Sequence, residues 1–313
     1  MKRLILILYG LIFTLPLGMH AASLNGFSLD RSIIPTTEIL PGGPGKDGIP
    51  AILNPTFISA SQATYLKSHD PILGLSLNGQ HRAYPIKIMD WHEVVNDKVN
   101  GHHFVISYCP LCGSGMAFNA TLSSRNLTFG VSGLLYNSDV LLYDHQTQSL
   151  WSQIRGQAIT GASAGQRLTQ IPLTLTQWQR WQAMHPETLV LSTDTGFRRN
   201  YQQNPYADYQ RSPQLFFPVA NKAPSTYSTK ETVMGFKGKD RVIAFPFSEL
   251  YKYGKAQFTY SFEGKEITVH FDKKSQSAWV TDKEGKQVSS TLLYWFAWYA
   301  FYPDTLLYKA PTE

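Results

Sequence analysis

The chain has 313 residues, a formal net charge of +6, 43% hydrophobic and 13% aromatic residues. That size and apolar content suffice for a real core, as one large domain or two smaller ones, and exclude a disordered chain. The charge falls to +4 without Lys2 and Arg3, and no block of Lys or Arg occurs, so composition points away from nucleic acid and no nucleotide cofactor is indicated.

Residues 1–22 read as a secretory signal: Lys2 and Arg3, an apolar run from Leu4 to Leu17, then small Ala21, Ala22 and Ser23 as a cleavage site. The run is shorter than the about 20 residues of a membrane span. The expectation is therefore an exported, periplasmic or extracellular protein with no span in the mature chain; an uncleaved anchor is the alternative. Segment 23–50, ending PGGPGKDGIP, reads as an arm or linker.

Alternating and apolar runs predict strands at 72–77, 82–86, 103–108, 115–122, 126–131, 139–143, 157–160 and 188–192. Helices are few: 59–67 with Ser59 as cap, 88–95, and two tryptophan-bearing helices near 178 and 295. The class is α+β, dominated by antiparallel strands.

Both cysteines lie in SYCPLCGSGMAF, residues 107–118. Two glycines and a strand-like run after Cys112 are poor helix material, so this is not the helix-opening pair of a thioredoxin-type site. Cys109-Pro-Leu-Cys112-Gly suits a tight knuckle between two strands, with Pro fixing one φ and Gly free to adopt another. Two thiolates from one turn can reach one ion, but a closed zinc site needs further ligands and there is no second CxxC. His92, on a helix face shared with Asn96, and Met116 are the ligand candidates; His102 and His103 are placed in a hairpin turn. Such a set favours soft or borderline ions, Cu(I) or Zn²⁺. A pair that cycles between dithiol and disulfide with a redox partner, and an inert disulfide in an interaction module, stay open beside the metal reading.

Further polar residues mark a possible pocket around the cysteines: Glu93, Asn96 and Asp97 before them, and Asn137, Ser138, Asp139, Asp144 and His145 after. YNSD and YDHQTQ also make good turns. Ser138, Asp139 and His145 have no nucleophile elbow and form no hydrolase triad, and a single DTG at 194–196 carries no weight.

The chain also repeats itself. GLSLNGQHRAYP (74–85) matches GFKGKDRVIAFP (235–246), and TLTQWQRWQAMHPETLVL (174–191) aligns without a gap to TLLYWFAWYAFYPDTLLY (291–308). In each of the latter, Thr is placed as a helix cap and the tryptophans as core, with Trp178, Trp181 and Met184 on one face and Trp295, Trp298 and Phe301 on the other copy's. Landmark spacing makes the first copy about 44 residues longer, between the CPLC turn and about residue 170. The expected organisation is a first copy at 51–199 with the cysteine turn and an insertion, a connection at 200–230, and a shorter, cysteine-free copy at 231–313.

GLSLNGQHRAYPIKIMDWHEVVND, YCPLCGSGMAF, LTFGVSGLLYNSDVLLYDHQTQSLW and HPETLVLSTDTG together resemble the bacterial and archaeal domain-of-unknown-function family DUF3179, over about residues 50–310. The resemblance implies an exported or membrane-associated protein with this cysteine pair and carries over no substrate or catalytic residue.

Overall fold

The computed structural model describes residues 23–311, so the proposed signal 1–22 lies outside the described residues. Among the described residues strands, nearly all antiparallel, dominate, with five short α-helices. They form five main sheets of four or five strands, the make-up of a five-bladed β-propeller, though three sheets are completed by strands that return after a neighbouring sheet has been built.

A first unit opens with the hairpin Pro71–Leu77 and Gln80–Pro85, followed by helix Ile86–His92. A sheet of Val94–Val99, His102–Cys109, Ser114–Asn119 and Gln170–Ile171 comes next. Thr174–Gln177 then returns beside Pro71–Leu77, helix Trp178–Met184 crosses over, and Leu189–Leu191 lies parallel to Gln80–Pro85. A second unit has the same order of elements: hairpin Thr232–Lys237 and Val242–Pro246, helix Phe247–Tyr253, and a sheet of Gln257–Phe262, Lys265–Asp272, Ser277–Thr281 and Gln287–Val288. Its Ser290–Tyr294 returns to the hairpin, helix Trp295–Phe301 crosses, and Leu306–Leu307 runs parallel to Val242–Pro246.

The tryptophans hold each unit shut. Trp181 packs over Gly74 and Trp298 over Gly235, where any Cβ would collide with the indole. Each indole N–H donates to a threonine seven residues on, Thr188 or Thr305, at 2.9 and 2.8 Å, so the buried rings leave no polar atom unmatched. Met184 departs from its expected place and is exposed. Thr174 and Thr291 lie within strands and do not cap the helices, whose first turns follow Gln177 and Tyr294 without a side-chain cap.

The units differ in one connection, residues 120–169 against 282–286. The longer one builds the fifth sheet from Phe129–Tyr136, Asp139–Asp144, Leu150–Ser152 and Gln157–Ala158, with Ile39–Pro41 as its edge. The arm is thus part of the fold: Phe27, Leu29, Ile34 and Ile39 are buried against Leu134, Leu141 and Ile159 of this sheet. Contacts between units are reciprocal, with Ser277 Oγ donating to Leu175 O and Gln170 Nε2 to Thr291 Oγ1, both at 3.0 Å.

Two expected helices are corrected. Ser59 does make a capping box with Gln62, but it caps a single 3₁₀ turn, Ala60–Gln62, because the preceding residues pair as a strand with Leu189–Leu191. Helix Ile86–His92 stops at Glu93, whose φ of 57° is left-handed, and β-branched Val94 and Val95 then start a strand. Asn96 therefore shares no helix face with His92. The hairpin turn is Asn100–Gly101, and His102 and His103 already belong to the next strand.

Candidate thiol and metal site

Strand His102–Cys109 alternates strictly between two cores. Phe104, Ile106 and Tyr108 enter the core that contains Leu73 and Tyr84, while Val105 and Cys109 face the one that contains Met116, Phe118 and Trp151. The turn 110–113 follows, in which Cys112 N–H donates to Cys109 O at 3.2 Å. Gly113 takes φ 62° beneath the ring of Tyr294, where a Cβ would stand 3.0 Å from the nearest ring atom. Tyr294 N–H also donates to Cys112 O at 2.8 Å, so the second unit clamps the cysteine turn.

The sheet built from residues 129–158 supplies the facing wall. Asn137 and Ser138, at φ 54° and 62°, form the tight turn between Phe129–Tyr136 and Asp139–Asp144, a primed hairpin turn. It points Ser138 O at both sulfurs, 3.4 Å from Cys112 Sγ and 3.8 Å from Cys109 Sγ, and puts Asp139 beside them. One ligand atom each from Cys109, Cys112 and Asp139 lies within 4.8 Å of the other two. All three residues are buried.

Asp139 Oδ2 accepts the Ile154 N–H at 3.0 Å, whereas Oδ1 is buried without any hydrogen-bond partner. Burial pushes the Asp139 carboxyl up to about 8 against the backbone N–H groups that favour its anion. Burial, and then the Cys109 thiol beside it, push the Cys112 thiol well up. Glu93, on the same cavity wall, is raised by burial to about 8, its Oε1 accepting Tyr206 O–H at 3.4 Å. Two acidic residues and two thiols are thus held where burial disfavours anions unless a cation enters.

The segment 200–230 covers this space. Tyr209 O–H donates to Leu111 O at 3.0 Å, and Ser138 O–H donates to Phe217 O at 2.8 Å. Glu93, Cys109, Tyr206 and Phe217 line a cavity of ≈ 180 Å³ beneath the cover. Lys230 ties the segment together by donating to the carbonyls of Tyr209, Ser212 and Gln214.

The other expected site residues are placed as follows. His92 is buried with both nitrogens engaged, Nδ1–H on Pro50 O and Nε2 accepting Tyr201 O–H, each at 2.7 Å, and it is no member of the three-ligand group. Met116 is buried on the same sheet face as Cys109, opposite Ser107. Asn137 holds the cover through Ala220 N–H at 2.7 Å. Asn96 exchanges two hydrogen bonds with the Phe129 backbone, and Asp97 pairs with Arg82 and Tyr84; both border a separate cavity of ≈ 560 Å³. Asp144 anchors its turn by accepting from Thr147 and Trp151, and exposed His145 stacks on Tyr143. Sequence reasoning missed Tyr206, Tyr209 and Tyr294; the concentration of aromatics in the aperiodic stretch 201–227 was the available signal.

Among the described residues no helix is long and apolar enough to cross a membrane. Comparison with curated proteins and with solved structures finds no match. A family model described as "Protein of unknown function (DUF3179)" matches residues 46–305, most of the chain. The chain therefore belongs to the DUF3179 family.

Proposed function

We propose that this is an exported metal-binding protein that holds Zn²⁺ or Cu(I) at Cys109, Cys112 and Asp139. The observation that carries the reading is buried Asp139, with one carboxylate oxygen unpartnered and a carboxylate oxygen within 4.8 Å of two buried sulfurs. An orphaned carboxylate oxygen costs about 1–3 kcal/mol, and a cation offsets it directly. Two thiolates and a carboxylate are ordinary Zn²⁺ ligands, with a fourth position left for water or substrate. Cu(I) would use the two sulfurs, with Asp139 protonated. Either ion displaces protons from buried groups, so uptake releases acid and strengthens as pH rises. In the same reading, 51–199 and 231–313 are copies of one ancestral unit, of which the first gained thiols and an insert.

A thiol–disulfide oxidoreductase is the second reading, favoured by the spacing of the pair in one turn. Burial of Cys112 counts against it, since the attacking species is the thiolate. Anaerobic titration with Zn²⁺ and Cu(I) separates the two. The expected result is one tightly held ion per chain, lost in Cys112→Ser and bound about 10–100-fold more weakly in Asp139→Asn. Reduced wild-type protein that retains neither ion, together with a reversible two-electron Cys109–Cys112 couple, would replace the metal reading with the redox one.

A further inference from the structure

In the second unit, the turn 273–276 stands where the cysteine turn stands in the first. Asp272 pairs with Ser277 across it as Cys109 pairs with Ser114, and Gln276, at φ 51°, matches Gly113. This turn borders a cavity of ≈ 520 Å³, together with Lys255, the sheet residues His270 and Trp279, and Arg180 from the first unit. Arg180 is paired with Asp272 at 3.1 Å. Among the described residues, Lys255, Lys273 and Lys274 are in no ion pair. The two larger cavities lack this imbalance: one contains the Arg82–Asp97 pair, and the other intersperses lysines with Glu263, Glu266, Asp282 and Glu284.

The floor of the cavity is a cross-strand row. Gln257, His270 and Trp279 are register partners on three adjacent strands. The imidazole and indole are parallel, 4.9 Å between centroids and 2° between planes, and both are half-buried. An indole on an open sheet face offers an apolar surface to the C–H face of a sugar ring, and the Gln257 amide offers a donor and an acceptor to hydroxyls. The unpaired ammonium groups supply charge for carboxylates. A phosphate fits less well: Arg180 is paired through Nε with Asp272, and that carboxylate repels a compact dianion while it accepts from sugar hydroxyls.

We propose that this cavity binds an acidic saccharide of the uronate type, at a site independent of the metal reading. The test is calorimetric titration of the full chain with trigalacturonate, its methyl ester and AMP. Trigalacturonate is expected to bind saturably and more weakly as salt rises, with the ester at least about tenfold weaker. Trp279→Ala is expected to lose about tenfold, and so is the exposed pair Lys273→Ala/Lys274→Ala, which leaves the sheet intact. Thermal unfolding of the Trp279 variant checks its fold. No saturable binding by the wild type, equal affinity for the ester, AMP binding as tight as trigalacturonate, or unchanged affinity in the double-lysine variant would each overturn the proposal.

Discussion

The turns 110–113 and 273–276 join corresponding strands in the two units and end alike on a left-handed residue. Their surroundings are opposite. The first lies under Tyr294 and the segment 200–230, and its polar atoms are thiols and protonated acids. The second is open, with Lys273 and Lys274 in water and only Ser275 turned inward, its Oγ buried and unpartnered. A sheet hairpin of this shape therefore does not dictate its chemistry. The cover does: where chain overlies the turn, charge is suppressed and soft ligands persist, and where nothing overlies it, ammonium groups are tolerated.

The comparison breaks most severely at the framework both turns share. Trp181→Ala and Trp298→Ala should each destabilise the protein by about 3–5 kcal/mol, read from urea unfolding midpoints. A loss below about 1 kcal/mol at either position would show that the two frames are held differently. Next comes the clamp on the cysteine turn. Gly113→Ala puts a Cβ against the Tyr294 ring in a left-handed conformation, so a loss of about 2 kcal/mol or more is expected in the same assay.

The suppressed charge of the covered site should appear as pH dependence. Burial raises Asp139 and Glu93 to about 8 each. The folded chain then keeps protons that the unfolded chain releases, so this contribution is fullest at low pH and is lost as pH rises through those values. Stability of the metal-free protein should fall between about pH 5 and 8, by up to about 1.4 kcal/mol per pH unit for each group. Glu93→Gln should remove one group's share of that slope in unfolding titrations across the range.

The cover itself is sharpened by Lys230→Met, which removes the donor to three carbonyls. A loss of about 1.4 kcal/mol in local closure would speed labelling of Cys109 and Cys112 about tenfold without moving the pH slope. An unchanged labelling rate would mean that the segment is held by its aromatics and by the Ser138 and Asn137 hydrogen bonds without Lys230. The smallest effect belongs to the open turn: Gln276→Gly relieves a left-handed side chain with no ring above it and should stabilise by up to about 1 kcal/mol in thermal unfolding.

Much of the strand pattern was legible because half-buried strands alternate, and the tryptophan helices because their Trp spacing is helical. The helix expected at 88–95 failed at Glu93, where a left-handed residue turns the chain before two valines that pack better on a sheet. The helix expected at 59–67 had its cap but no apolar periodicity to propagate, and strand pairing took its start. Asp139 was visible as a polar residue beside a turn. Its approach to the sulfurs depends on how the insert's sheet folds back on the cysteine turn, a long-range fact that local pattern does not encode. The same holds for Tyr206, Tyr209 and Tyr294, which reach the turn from segments distant in sequence.

The reciprocal bonds, Ser277 to Leu175 and Gln170 to Thr291, tie the earlier and later sheets of the chain together. The later, cysteine-free unit is not ballast, since Tyr294 supplies both a backbone donor and a ring to the thiol turn. Excising either unit would leave the other with a raw face, so both should melt in a single transition and neither can be shed by truncation while the site is kept.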